Sequence, residues 1–420
     1  MLGRSPLGTR LVSMFRPGNV RRRNEFVGFG SIACAGLGGQ GVMTPFRFTG
    51  GHVALGGGVV SGAEILVEEG RIVAIRPLKG DAGAMDLAGG WVLPGFIDIQ
   101  VNGGGGVLFN HDTSVEGIAA IGEAHARFGT TAFLPTLISA EPERIAAALD
   151  VVDAAIDAGV PGVVGVHIEG PVLSAARKGI HDARRFRRLD AELLELLTRP
   201  RRGRVLVTLA PEMVSTDDIS ALVRTGVIVS AGHSESPYDT MIAAIDAGLS
   251  GVTHLFNAMP PLSHREPGLV GAALDDPRVW CGLIVDDVHV ARSSLRIAMR
   301  CRPFDRMMLV TDAMPSVGAD VKQFMLQGRR IDVVDGRCVY ADGTLAGSDL
   351  DMASAVANSV QAFDLTPDRA AQLAAANPAR FLGLAHERGA LVPGLRADWV
   401  VLDAALRPVE TQIARERVVA

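Results

Sequence analysis

Eight apolar runs alternate with helix-patterned stretches through the middle of this chain, and that alternation limits its fold more than any other feature. The runs are VLPGFIDI (92–99), TTAFLPTLI (130–138), VVGVHIEG (163–170), RVLVTLAPE (204–212), VIVSAGH (227–233), GVTHLF (251–256), WCGLIVDD (280–287) and MMLVTDA (307–313). Near-continuous apolar runs of this length suit strands buried on both faces, and parallel strands need long crossovers that are usually helical. The stretches 114–128 and 142–158 carry such helix signals, the latter with Ile145, Leu149, Val152 and Ile156 on one face. Eight βα units predict a closed (β/α)8 TIM-like barrel, with an open doubly wound sheet as the alternative. Polar residues gather at the C-terminal ends of the runs, where barrel enzymes place their active sites, and this favours the barrel.

The chain ends read differently. From Thr44 to Leu87 short β-type runs are broken by glycine, and from Gly389 to Asp403 two more short strands are expected. Residues 44–92 and 386–420 are therefore expected to form a split β-sandwich around a catalytic barrel of residues 93–385. Residues 1–43 are expected to be a disordered extension. Residues 1–42 hold Arg4, Arg10, Arg16, Arg21, Arg22 and Arg23 against the single acid Glu25. This stretch lacks the amphipathic helix of a transit peptide and the apolar region of a signal peptide. Met43 is the alternative functional start. Gly36, Gly38 and Gly41 spell G-x-G-x-x-G, but no helix pattern follows, so no dinucleotide site is expected.

Bulk properties narrow the function. A net charge of −5 and 5% aromatic residues leave no basic stacking platform for nucleic acid. No run of about 18 apolar residues is present to span a membrane. Cys34, Cys281, Cys301 and Cys338 are scattered, without a C-x-x-C pair, as expected for reduced thiols in a cytoplasmic enzyme. A small molecule is the expected partner.

Four chemically competent side chains end strands of the predicted barrel: Glu169 the third, His233 the fifth, His254 the sixth and Asp312 the eighth. A lone histidine is commonly a satisfied core residue and a strand-end aspartate often caps the next helix. Four of them converging on one barrel mouth is a different matter. Two imidazoles and a carboxylate form a ligand set for a divalent metal that leaves a coordination position open, and Asp312 is suited to moving protons beside it.

The segments VHIEGP, SAGHS, THLFNAMPPL, HREPGLVGA, VTDAM and TLAGS, in order between Pro94 and Arg380, resemble the motifs of N-acetylglucosamine-6-phosphate deacetylases of the amidohydrolase superfamily. The resemblance implies hydrolysis of N-acetyl-D-glucosamine 6-phosphate to D-glucosamine 6-phosphate and acetate. It implies Glu169, His233 and His254 as metal ligands and Asp312 as catalytic acid and base. It further implies substrate contacts at His181, Asn257, Ala258, Arg265, His289, Leu345, Ala346 and Gly347. A homodimer, with one phosphate-binding residue supplied by the neighbouring subunit, is implied as well. Arg265 and His289 are chemically suited to a phosphate. A deacetylase of N-acetylgalactosamine 6-phosphate or another amidohydrolase is the alternative, and a non-catalytic sugar-phosphate-binding protein is disfavoured by the intact set of four.

Two departures from related patterns matter. Many amidohydrolases carry H-x-H at the end of the first strand, whereas here the segment reads Gln100-Val101-Asn102, a poor zinc site. A second metal is often bridged by a modified lysine, and Lys79, Lys178 and Lys322 all lie off the predicted barrel strands. One metal per subunit is expected, with Zn2+ the default and Fe2+, Co2+ or Mn2+ compatible. Asp287, where a glycine is common, is expected to place a carboxylate near His289 and to tune it or weaken phosphate binding.

Overall fold

The computed structural model describes residues 43–341 and 343–420. The Arg-rich segment 1–42 and its glycine motif lie outside the described residues. The strands expected from the eight runs are β1 (Phe96–Val101), β2 (Thr130–Ile138), β3 (Gly165–Glu169), β4 (Arg204–Leu209), β5 (Ile228–Ala231), β6 (Gly251–Val252), β7 (Trp280–Leu283) and β8 (Met307–Leu309). They neighbour one another in chain order and pair in parallel throughout. The ring closes just beyond the last strand, where Val101 bridges Ala313 in parallel. At that seam the Asp312 N–H donates to the Gln100 carbonyl at 3.0 Å and the Asn102 N–H to the Ala313 carbonyl at 2.9 Å. The fold is the TIM-like barrel, not the open sheet.

Helices form where the periodicity places them. Helix α1 (Val115–Ala126) begins at Ser114, whose hydroxyl accepts the Gly117 N–H at 2.9 Å, and α2 (Pro142–Asp157) starts on a proline that needs no amide partner. The apolar faces of these helices, including Ile118, Ile121, Ile145 and Leu149, pack on the outside of the barrel in one continuous core.

The run 92–99 serves two sheets. Trp91–Pro94 pairs antiparallel with Trp399–Leu402, whereas Phe96–Val101 enters the barrel. Gly95 lies between them, and a Cβ there would lie 2.3 Å from the Thr131 hydroxyl oxygen. Outside the barrel, a six-stranded sheet takes Gly58–Val60, His52–Leu55 and Trp91–Pro94 from one chain end and Trp399–Leu402, Pro408–Ile413 and Glu416–Val419 from the other. A four-stranded sheet of Arg71–Pro77, Ala63–Glu68, Thr44–Thr49 and Met85–Asp86 packs on it through Phe48, Ile65, Ile72 and Trp399. This is the small β domain expected from both ends.

Its C-terminal strands differ from the sequence expectation. Only Trp399–Leu402 forms within 389–403, because Pro393 and Gly394, the latter at φ 94°, turn the chain instead. Two further strands follow it. A second addition is a four-stranded antiparallel sheet after β8, comprising Gln323–Leu326, Arg329–Val334, Arg337–Val339 and Leu345–Ser348.

His125 on α1 is fully buried, with Nε2 2.9 Å from the Gly103 carbonyl beyond β1. Burial outweighs that hydrogen bond and pushes its pKa down to about 4, against 6.5 for the unperturbed side chain. A histidine held neutral in the fold stabilises fully above the unfolded pKa, and the stabilisation is lost as pH falls from about 6.5 towards 4. This linkage is worth on the order of 3 kcal/mol. The difference in urea-unfolding free energy between pH 7 and pH 4 is expected to be smaller in His125→Gln by about that amount; an unchanged difference would contradict the assignment.

Candidate active site

Three of the site side chains sit where the chain leaves extended geometry. His233 (φ 48°), His254 (φ 34°) and Asp312 (φ 54°) all adopt left-handed backbone, which costs a non-glycine residue on the order of 1–3 kcal/mol. The turn stops β5, β6 and β8 short of the predicted runs and swings each side chain over the barrel mouth. Glu169 ends β3 in register with Ile138 and Thr208.

Glu169, His233 and His254 meet in a buried cluster. Glu169 Oε1 lies 3.1 Å from His254 Nε2 and 3.2 Å from His233 Nε2, and the two Nε2 atoms are 3.1 Å apart. The His233 Nδ1 is 2.8 Å from the Arg177 carbonyl, so Nδ1–H donates there and Nε2 turns its lone pair inward. Two imidazole nitrogens and a carboxylate oxygen facing one point fit a divalent ion with ligand bonds of about 2.0–2.2 Å. His254 Nδ1 is buried without a partner. Among the described residues this is the only group of three or more potential ligands so arranged.

Burial opposes the charge on Glu169, but the two histidines more than offset it and hold the carboxyl well below its usual range. Burial likewise opposes charging of His254, and the Glu169 hydrogen bond reverses the balance and raises it. Asp312 is raised by burial and then by the nearby Glu169 charge.

Gln100 and Asn102 occupy the end of β1 and its first following residue. Gln100 Nε2 donates to Asp312 Oδ1 at 3.1 Å and lies 3.3 Å from Glu169 Oε1; Asn102 Nδ2 donates to Asp312 Oδ1 at 2.7 Å. They are carboxylate-holding residues, a role that reading them only as poor ligands missed. The Q-x-N pair at a strand end was the available signal.

The structure gathers most of the remaining candidates around this cluster. His181 is buried with its ring centroid 4.4 Å from that of His233, and its Nδ1 is 2.7 Å from the Ser139 hydroxyl. Burial holds it well below the ordinary histidine range, leaving a neutral ring. Asn257 donates to the His254 carbonyl at 3.2 Å, and the Ala258 carbonyl accepts the Ser234 N–H at 3.3 Å. His289 Nδ1 lies 2.6 Å from Asp286, and His289 is near enough for its charge to act on Asp312. Leu345, Ala346 and Gly347 form the strand beside Asp312, whose carbonyl accepts the Ser348 N–H at 3.0 Å. Arg265 is the exception, exposed on the loop before Gly268.

Asp287 behaves otherwise than expected. It pairs with Arg292 at 2.5 Å, and Asp286 is the carboxylate that meets His289. Asp287 stands at φ 63°, a conformation that glycine adopts without steric cost.

The chain belongs to the amidohydrolase family, whose model matches residues 91–419. Within it, the chain is 43% identical over 331 residues to an N-acetylgalactosamine-6-phosphate deacetylase of Shewanella sp. (strain ANA-3), covering 79% of this chain and 84% of that one. It is 34% identical over 332 residues to an N-acetylglucosamine-6-phosphate deacetylase of Haemophilus influenzae, covering 78% and 87%. The crystal structure of the N-acetylglucosamine-6-phosphate deacetylase from Pasteurella multocida superposes with a TM-score of 0.85 at 32% identity, over 90% of this chain and all of that one. A variant of the Mycobacterium smegmatis enzyme, solved in complex with N-acetyl-D-glucosamine 6-phosphate, gives 0.82 at 34% identity, again over 90% and 100%. No helix among the described residues is long and apolar enough to cross a membrane.

Proposed function

We propose that this chain hydrolyses N-acetyl-D-glucosamine 6-phosphate to D-glucosamine 6-phosphate and acetate. The observation that carries the reading is the convergence of Glu169, His233 and His254 beside a half-buried Asp312. Glu169, His233 and His254 hold one divalent ion, Zn2+ by default with Fe2+, Co2+ or Mn2+ compatible. When bound, the ion supplies a Lewis acid for the acetyl oxygen and for water. Asp312 takes the proton from the attacking water and delivers it to the departing nitrogen. Gln100 and Asn102 both donate to Oδ1 of Asp312, which leaves Oδ2 for the proton transfer. His181 orients the acetyl carbonyl, and Asn257, Ala258 and the strand Leu345 to Gly347 flank the sugar. His289 meets the phosphate. Arg265, exposed in the single chain, serves the phosphate of a neighbouring subunit in a homodimer. Residues 93–385 form the catalytic unit, with 44–92 and 386–420 as the sandwich.

A second reading, the galactosamine epimer, is favoured by the 43% identity to the Shewanella enzyme against 34% to the Haemophilus one. Acetate release from the two acetamido sugar 6-phosphates, measured side by side with metal per chain, decides between them. On the first reading the glucosamine epimer has the higher kcat/KM, with one metal equivalent and loss of turnover on chelation. A reversed preference establishes the second reading. No acetate from either sugar removes both.

A further inference from the structure

Asp312 is a catalytic side chain on a strained, non-glycine backbone, and such a conformation persists only where its surroundings over-determine it. Beneath it lies Asp98, on β1 and fully buried. Its Oδ2 accepts the Thr311 hydroxyl at 2.5 Å, and its Oδ1 accepts the Gln100 N–H at 3.1 Å and the Thr311 N–H at 3.4 Å. One carboxylate thus ties the first strand to the residue preceding Asp312 and fixes the backbone of Gln100, whose side chain holds Asp312 from the other side. The Thr311 hydroxyl in turn accepts the Ala313 N–H at 3.2 Å, and the Thr311 carbonyl accepts the Ser348 hydroxyl at 2.5 Å. Hydrogen bonds from Thr311 therefore reach both sides of the turn.

No cation among the described residues accompanies Asp98, and burial pushes its carboxyl up to about 7 despite the three donors. An acid buried without a cation is a poor device for stability, because an apolar side chain of similar volume does at least as well. What a carboxylate supplies here, and an apolar group cannot, is a multiple acceptor that sets the direction of the Thr311 hydroxyl.

We propose that Asp98 and Thr311 are positioning residues for the reaction, holding Asp312 in its left-handed turn so that its carboxylate stays fixed relative to the Glu169 cluster. The inference rests on the deacetylase reading for its kinetic arm only. In metal-loaded Thr311→Val, which removes the hydroxyl and keeps the shape, kcat for acetate release is expected to fall roughly 10- to 100-fold. KM should stay within about twofold and metal per chain should be unchanged, since neither the phosphate contacts nor the ligands are touched. Thr311→Ser is expected to restore kcat, and Asp98→Asn, nearly isosteric, to lower it as Thr311→Val does. The Asp98 variant carries the test should Thr311→Val fail to fold. Amide hydrogen exchange across residues 308–316 should be at least about tenfold faster in the impaired variants. Unchanged kcat in both, or a loss shared with KM and metal content, overturns the proposal. If the wild-type chain releases no acetate from either sugar, the functional reading fails, and the exchange measurement alone decides the positioning device, with unaltered exchange refuting it.

Discussion

Asp312→Asn is expected to lower kcat about 10²- to 10⁴-fold, the usual contribution of a positioned acid or base, with metal per chain and KM nearly unchanged. The asparagine amide fills the same space on the same left-handed turn, and one face of it still accepts from Asn102 and Gln100. What it cannot do is take a proton from water or pass one to the leaving nitrogen. Because Asp312 does not belong to the ligand triangle, metal content measured by elemental analysis should remain at the wild-type level. Loss of metal in step with activity would instead make Asp312 a ligand and leave the proton transfers to another group.

The second large effect concerns the metal. Glu169→Ala is expected to leave the chain unable to retain its ion through dialysis, with acetate release falling to that of the chelated wild-type protein. Glu169 supplies the only anion of the cluster, and its oxygen lies 3.1–3.2 Å from both imidazole nitrogens. Without it, a dication would be held in a buried site by two neutral rings. Adding Zn2+, Co2+ or Mn2+ in excess should recover little turnover. Full metal occupancy in the variant would show that the ion is held elsewhere.

Much of this site was legible because parallel-barrel chemistry is written at strand ends. Glu169, His233, His254 and Asp312 each close an apolar run in a chain of alternating units, and the structure brings all four to one mouth. The backbone turns that aim them were not legible. His233, His254 and Asp312 are not glycines, so nothing in their identity signals positive φ; only the surrounding hydrogen bonds make it tolerable. The same holds for Asp287, whose charge suggested a partner in His289, while its local turn carries it to Arg292.

By itself the sequence determined the alternation of strands and helices, the parallel barrel, the two-ended β domain and the identity of the groups at the mouth, because side-chain periodicity and strand-end placement are local properties. Tertiary structure alone decided that one apolar run divides at Gly95 between two sheets, that Gln100 and Asn102 hold carboxylates, and that Asp98 reaches Thr311 across 213 residues of chain. Those are contacts between distant segments, set by how the ring closes, and no local pattern encodes the distance at which two strands meet.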